Sequence, residues 1–198
     1  MSFIDKTNIV IKKNNNDLYY FDIDKDIVLT KINNKNDILL SKILFTGDYS
    51  FVDIWLDTNE KDNIYGIIND KKGKILNLNI EEDNIDKHTM IKYDYKNFIV
   101  KFPYTKHIYN IKHTIYYSIN KSIPLLANLI HIYEDDNIYV KNTIDFIDYN
   151  ILSNFVVAYS NNRPIIFYFK LVDKFEELFV STFDLNSRSW SKPIQITK

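Results

Sequence analysis

The chain has 198 residues, enough for one large domain or two small ones, and its 45% apolar and 26% charged residues are ordinary for a folded protein. Its 25 basic and 26 acidic residues are interleaved and leave a net charge of −1, which excludes the basic footprint of a nucleic-acid binder. Zero cysteines exclude disulfides, thiol catalysis and cysteine-bound zinc.

No apolar run approaches the roughly 18–20 residues that span a bilayer. The opening "MSFIDKTNIVIKKNNND" lacks a basic segment followed by an apolar one. It predicts synthesis in the cytoplasm without a secretory signal; the final location, such as a phage particle or a cell surface, is open. The 15 Tyr and 13 Phe stand against 3 Gly and 4 Pro. Aromatic and β-branched residues suit pleated, half-buried surfaces. Asn and Asp can then supply turns that glycine would otherwise supply, because they tolerate positive φ. The Ile/Asn/Lys bias suggests an AT-rich coding genome.

Along the chain the dominant period is two. Strand-like runs occur first at 8–13, 16–24, 27–33 and 38–45, a set that reads as shorter and divergent. Within it "DIDKD" gives Asp22, Asp24 and Asp26 the spacing of a calcium loop. Ile27 stands where that loop needs glycine and Asn33 where it needs a bidentate Glu, so the run reads as the wet side of a strand and turn, and no metal is expected. "GDYS" (47–50) lacks the flanks of a nucleophile elbow. The three glycines Gly47, Gly66 and Gly73 cannot build a phosphate loop. A second set of runs lies at 52–58, 63–70, 74–80 and 88–94, and a third at 106–111, 114–121, 126–133 and 137–147. "SIPLLANLIHIY" (122–133) is the one helix candidate, with a strand reading of equal weight. A fourth set lies at 155–160, 164–171, 177–185 and 190–197. Polar breaks such as 59–63, 69–73, 134–137, 160–164 and 186–189 separate them, as in antiparallel meanders.

The sets repeat. The runs beginning at Asn63, Thr114 and Pro164 start 51 and 50 residues apart, each with one strand before and two after. Four antiparallel strands on a beat of about 50 residues predict an all-β fold, a β-propeller-like array of about four four-stranded blades. The expected blades are 1–46, 47–96, 97–149 and 150–198 of a single domain. Each blade has two apolar faces that only neighbours can cover. "WSKPIQIT" then forms the outer strand of the last blade, where Pro193 is tolerated because an edge strand can lack an N–H.

"ELFVSTFDLNSRSWSKPIQIT" resembles the third and fourth strands of a sialidase-type (BNR-like) propeller blade, an aspartate-containing turn followed by Trp, Pro and an Ile/Thr ending. Over residues 50–198 the chain is also similar in style to propeller-like proteins of clostridia and their phages. The resemblance implies the fold more than an activity. The family's Asp-box, S-x-D-x-G-x-T-W, is absent. Its sialidases clamp a carboxylate with three arginines, and this chain has two, Arg163 and Arg188, both in predicted turns.

The four histidines, His88, His107, His113 and His131, form no metal-binding motif and read as structural. Acid pairs such as Glu134/Asp135/Asp136 and Glu176/Glu177 fall in turns, and none is singled out as a hydrolytic pair. The candidate contact residues are the aromatics on or beside the inner strands: Trp55, Tyr65, Tyr116, Tyr117, Tyr159 and Tyr168. Blade packing accounts for most of them. Those that reach the surface can stack on sugars or anchor a protein. The expected function is a non-catalytic module that binds a protein or a cell-surface glycan, with no cofactor. The alternatives are a glycan hydrolase and a purely structural subunit. Four blades close a ring only tightly, so an open array predicts a homodimer or a longer propeller.

Overall fold

The computed structural model describes residues 7–24, 26–46, 53–135 and 138–197. Gly47 with the rest of "GDYS", Lys25 between the alternating aspartates, and Asp136 and Asn137 lie outside them. Among the described residues every regular element is a strand, apart from one 3₁₀ turn at Tyr149–Ile151. No helix among them is long and apolar enough to cross a membrane.

The chain divides into two compact units, Met1–Ile91 and Lys92–Lys198. The first holds the sheet β1 (Thr7–Lys12), β2 (Leu18–Ile23), β3 (Asp26–Ile32), β4 (Ile38–Thr46) and the sheet β5 (Asp53–Thr58), β6 (Ile64–Asn69), β7 (Lys74–Glu81), β8 (Asn84–Lys92), whose last residue is the first of the second unit. The second unit holds β9 (Phe98–Ile108), β10 (Ile111–Asn120), β11 (Leu126–Asp135), β12 (Ile138–Asp148) and a last sheet of β13 (Val156–Ser160), β14 (Arg163–Val172) and β15 (Phe175–Asp184). Two short strands, β16 (Ser189–Trp190) and β17 (Ile194–Gln195), share the outer position on β15. Apart from β16 and β17, which both pair with β15, consecutive strands of each sheet are hydrogen-bonded neighbours.

Several expectations need correction. The first sheet is as long as the second, because "NIVIKK" is a full strand. The run 106–111 is not a strand but a hairpin: β9 starts earlier, at Phe98, and Ile108 pairs with Ile111 across the turn. The helix candidate is strand β11, preceded by a turn at 121–125. The outer strand 190–197 is interrupted at 191–193.

The turns explain how a chain with so few glycines makes so many reversals. At 13–17, 33–37 and 59–63 the same device recurs: the first residue's N–H donates to the fifth carbonyl, and the fourth N–H donates back to the first carbonyl, all at 2.9–3.0 Å. The fourth residue sits at positive φ and is Asn16 (67°), Asn36 (69°) or Asp62 (62°). These are residues for which the left-handed region is least costly. Asn33 and Asn59 lock their turns further, each Oδ1 accepting two backbone N–H groups at 2.9–3.0 Å. The turn 70–74 shares the closing bond, from the Asp70 N–H to the Lys74 carbonyl at 3.0 Å, with Gly73 at φ 105°.

Alternation fills the cores. In the first unit, Tyr19, Phe21 and Ile23 of β2 and Ile27 and Leu29 of β3 pack with Ile64 and Ile68 of β6 and Leu76, Leu78 and Ile80 of β7. In the second, Ile115, Tyr117 and Ile119 of β10 and Ala127 and Leu129 of β11 pack with Phe155 and with Ile166 and Tyr168 of β14. Two bulges modify the pattern in the second unit. Tyr116 faces both Phe102 and Pro103, with Phe102 at φ 51°, so Pro103 sits where a ladder N–H is dispensable. A second register shift at Thr143–Asp145 allows both Ile144 and Ile147 to reach the core.

Candidate functional site

The second unit carries a pocket of about 500 Å³ at one end of its last sheet. Two turns frame it. The β13–β14 hairpin closes on the Ser160–Arg163 pair, and Asn161 (φ 49°) and Asn162 (φ 62°) form its two-residue loop with both central residues left-handed. The β15–β16 loop closes on the Asp184–Ser189 pair and uses Arg188 at φ 51°. Asp184 Oδ1 organises this loop by accepting from the Asn186 N–H (2.9 Å), the Ser187 N–H (2.7 Å) and the Ser187 hydroxyl (3.0 Å). These bonds, led by the Ser187 N–H and helped by the charge of Arg163, hold the Asp184 carboxyl below the ordinary carboxylate range. Thus the aspartate-containing turn before Trp190 is a real, carboxylate-capped loop.

The pocket is lined by hydroxyls, one amide, one ion of each sign and a few apolar side chains. Half-buried Trp190 and Ile165 supply the apolar surface beside the buried Phe183, and Arg163, Asp184, Ser187 and Ser189 the polar one. The Ser191 N–H donates to the Thr182 carbonyl at 2.8 Å, and the Ser181 hydroxyl donates to the Ser191 carbonyl at 2.8 Å, which ties the interrupted outer strand to β15 beside the pocket.

Against Phe183 and Trp190 lies an aromatic cluster. His131 packs edge-on against Phe183 (centroids 4.7 Å apart) and Trp190 (5.2 Å), and stacks on His113 (5.2 Å, 15° between planes). His113 Nδ1 and His131 Nε2 stand 3.0 Å apart and share one hydrogen. Both rings are 0% exposed. Burial pulls His113 down to about 4, and pulls His131 well below its ordinary value. Each ring is therefore neutral at neutral pH.

Of the six sequence candidates, Trp55 and Tyr65 lie in the first unit and Tyr116, Tyr117, Tyr159 and Tyr168 in the second. Tyr117 and Tyr168 are core residues of the second unit. Tyr116 is buried on the opposite face of β10, and burial raises its hydroxyl above the ordinary range. Tyr65 is buried in the first unit with its hydroxyl on Asp57 Oδ2 at 3.3 Å. These four serve packing and present no face to a ligand. Trp55 is exposed in the first unit, on β5. Tyr159, half-buried, adjoins the histidine pair and accepts from the Tyr104 hydroxyl at 3.1 Å. Arg163, read as a solvated turn residue, is exposed but lines the pocket. The pairing of His113 with His131 depends on the β10–β11 register, in which His113 faces Tyr133 and His131 faces Ile115, so the two rings are diagonal neighbours. No spacing along the chain reveals that. The signal present in the sequence for the pocket was Trp190 after an Asp-bearing turn. Among the described residues no three His, Asp or Glu side chains gather as a metal cluster.

No family model matches the chain, and no curated protein sequence matches it. Fifteen solved chains resemble it in fold, among them the following two. An α-L-arabinofuranosidase from Clostridium thermocellum shares 9% identity at a TM-score of 0.51, over 94% of this chain and 71% of that one. Drosophila Plexin A, solved in complex with Semaphorin 1b, shares 8% identity at a TM-score of 0.56, over 91% of this chain. This chain spans 40% of the plexin chain. At such identities the likeness shows the fold alone: the chain is an all-β, β-propeller-like array of four-stranded antiparallel sheets.

Proposed function

We propose that the protein is a non-catalytic binding module and that the pocket at the end of its last sheet seats a glycan. What supports the reading is the composition of the pocket: the half-buried ring of Trp190, backed by the buried Phe183, among hydroxyls, an amide, Arg163 and Asp184. Sugar rings bind by stacking an apolar face on an aromatic side chain while their hydroxyls exchange hydrogen bonds with the polar groups around it. A hydrolase needs two carboxyls held at a defined separation, one of them able to donate a proton. Among the described lining residues Asp184 is the one carboxylate, its Oδ1 already accepts three bonds, and its lowered pKa opposes a role as general acid.

A glycan array with the wild-type chain and the Trp190→Ala and Arg163→Ala variants tests this, alongside a reducing-sugar release assay on every glycan bound. Binding without turnover, lost in Trp190→Ala, is the expected outcome. Turnover abolished by an acid substitution would make the chain a hydrolase, as the arabinofuranosidase neighbour is by its name. No glycan bound, with a protein captured through the same pocket, would make it a protein receptor, in the manner of the plexin solved with semaphorin.

A further inference from the structure

The histidine pair packs against Phe183 and Trp190 of the pocket, and its hydrogen-bonding capacity is only half used. The inner nitrogens bond each other, whereas His113 Nε2 and His131 Nδ1 have no hydrogen-bond partner in the protein. In the neutral pair one outer nitrogen is a bare acceptor and the other an N–H without an acceptor. An added proton turns both into N–H donors with nothing to receive them, and puts a full charge where neither ring touches solvent.

The surroundings offer that charge little compensation. Tyr133 on β11, Tyr159 on β13 and Phe183 on β15 face the rings with aromatic surface, as does Trp190 on β16. His107 on β9 contributes like charge when protonated, and Arg188 in the β15–β16 loop lies over the Tyr133 ring at 6.0 Å. The carboxylates on the same strands are engaged elsewhere. Glu134 pairs with Lys112 at 2.9 Å, Asp135 accepts from the Tyr133 hydroxyl at 3.2 Å, and Asp184 caps its own loop.

We propose that the pocket is acid-labile: protonation of the His113–His131 pair releases Trp190 from its place against His131 and Phe183, so that acidification empties the site. The element that yields is the β15–β16 segment. It is attached to β15 through only two residue pairs, Phe183–Trp190 and Asp184–Ser189, and the Ser191 bonds that follow. Lifting Trp190 hydrates the pair at the cost of that short ladder, while β10–β11 keeps nine register pairs. Local opening is thus the least costly route to solvate the charge. The device regulates the site proposed above and rests on that reading, but the opening itself needs no ligand.

Trp190 can be read alone in a Trp55→Phe background, by acrylamide quenching of its emission from pH 8 to pH 4, with far-UV circular dichroism at each point. The expected result is a severalfold rise in quenching, reversible, with a midpoint between pH 4 and 6.5 and unchanged sheet signal. His131→Leu, and separately His113→Gln, should remove or displace that transition. Quenching that stays flat to pH 4, or an identical transition in both histidine variants, overturns the proposal. So does loss of the sheet signal in step with the quenching. Retention of the protein on its glycan at pH 7.5 and release at pH 5 completes the case. Absence of any glycan binding at pH 7.5 counts against the glycan reading and leaves the quenching result to decide this one.

Discussion

The second unit is cross-linked by one carboxylate. Asp145 on β12 accepts from the Tyr168 hydroxyl at 2.8 Å and from Lys170 Nζ at 2.8 and 2.9 Å, joining the two sheets of the unit. Tyr168 is fully buried, Asp145 is 11% exposed and Lys170 34%. Tyr168→Phe removes one bond to a charged acceptor, a loss of about 2 kcal/mol. Asp145→Ala removes all three. It strands the Tyr168 hydroxyl without an acceptor, at about 1–3 kcal/mol, while Lys170 turns to water with little further loss. Adding Tyr168→Phe to Asp145→Ala should then recover stability, because the orphaned hydroxyl disappears. The double variant should be less destabilised than Asp145→Ala alone by about 1–3 kcal/mol, so the two substitutions are far from additive. Urea denaturation followed by circular dichroism reads this directly. With a slope of about 2 kcal/mol/M, Tyr168→Phe should lower the midpoint by about 1 M. Strict additivity in the cycle, or an unmoved midpoint for Tyr168→Phe, would show that the network does not hold the sheets together.

Three further outcomes follow from particular residues. Gly66→Ala should unfold the first unit or lower its melting temperature by several degrees, because a Cβ there would stand 2.1 Å from the Trp55 carbonyl oxygen and 2.7 Å from Leu56 Cδ2; a wild-type melting curve would refute the close approach. At Asn36, φ 69°, replacement by Gly should be neutral or stabilising and replacement by Val should cost about 1–2 kcal/mol, measured by the same urea titration; equal midpoints would count against the left-handed turn. Stability should fall with acid before the ordinary carboxylates titrate. His113 binds its proton at about 4 when folded and near 6.5 when unfolded, so the unfolded chain holds more protons between those values; stability is full above pH 6.5 and declines down to about 4. His131 shifts in the same direction, and a urea midpoint constant from pH 7 to 4 would refute both assignments.

The sheet architecture was legible because most strands are written in period two and many turns in Asn and Asp. Phe21 and Leu29 face inward for the reason the alternation states, and Asn36 turns the chain for the reason its side chain allows. What the pattern could not show is register. Tyr109, left-handed and exposed between β9 and β10, looks in sequence like the middle of a strand, so the hairpin at 109–110 was misplaced. Leu126–Tyr133 carries apolar residues with mixed spacing because β11 is buried on both faces, a condition under which periodicity does not separate helix from strand. The aromatics favoured as contacts were mostly core residues. A buried Tyr and a ligand-facing Tyr look alike in a string, and only the packing of Tyr117 and Tyr168 against Phe155, Ile166 and their neighbours distinguishes them.

The candidate site lies where the repeat departs from itself. The outer position of the last sheet begins as β16, breaks over Ser191–Pro193 and resumes as β17. Pro193 has no N–H to donate, and Ser191 substitutes local bonds to Ser181 and Thr182 for a continuous ladder. A full strand would have carried Trp190 in a rigid edge. The interruption leaves it on a two-residue segment, over the His113–His131 pair on one side and the pocket on the other. A four-stranded sheet repeated without change has no reason to bind anything at one end. The same short ladder that places Trp190 in the pocket is what would let a buried charge dislodge it, so the proposed binding and its proposed acid sensitivity both trace to one break in the outer strand.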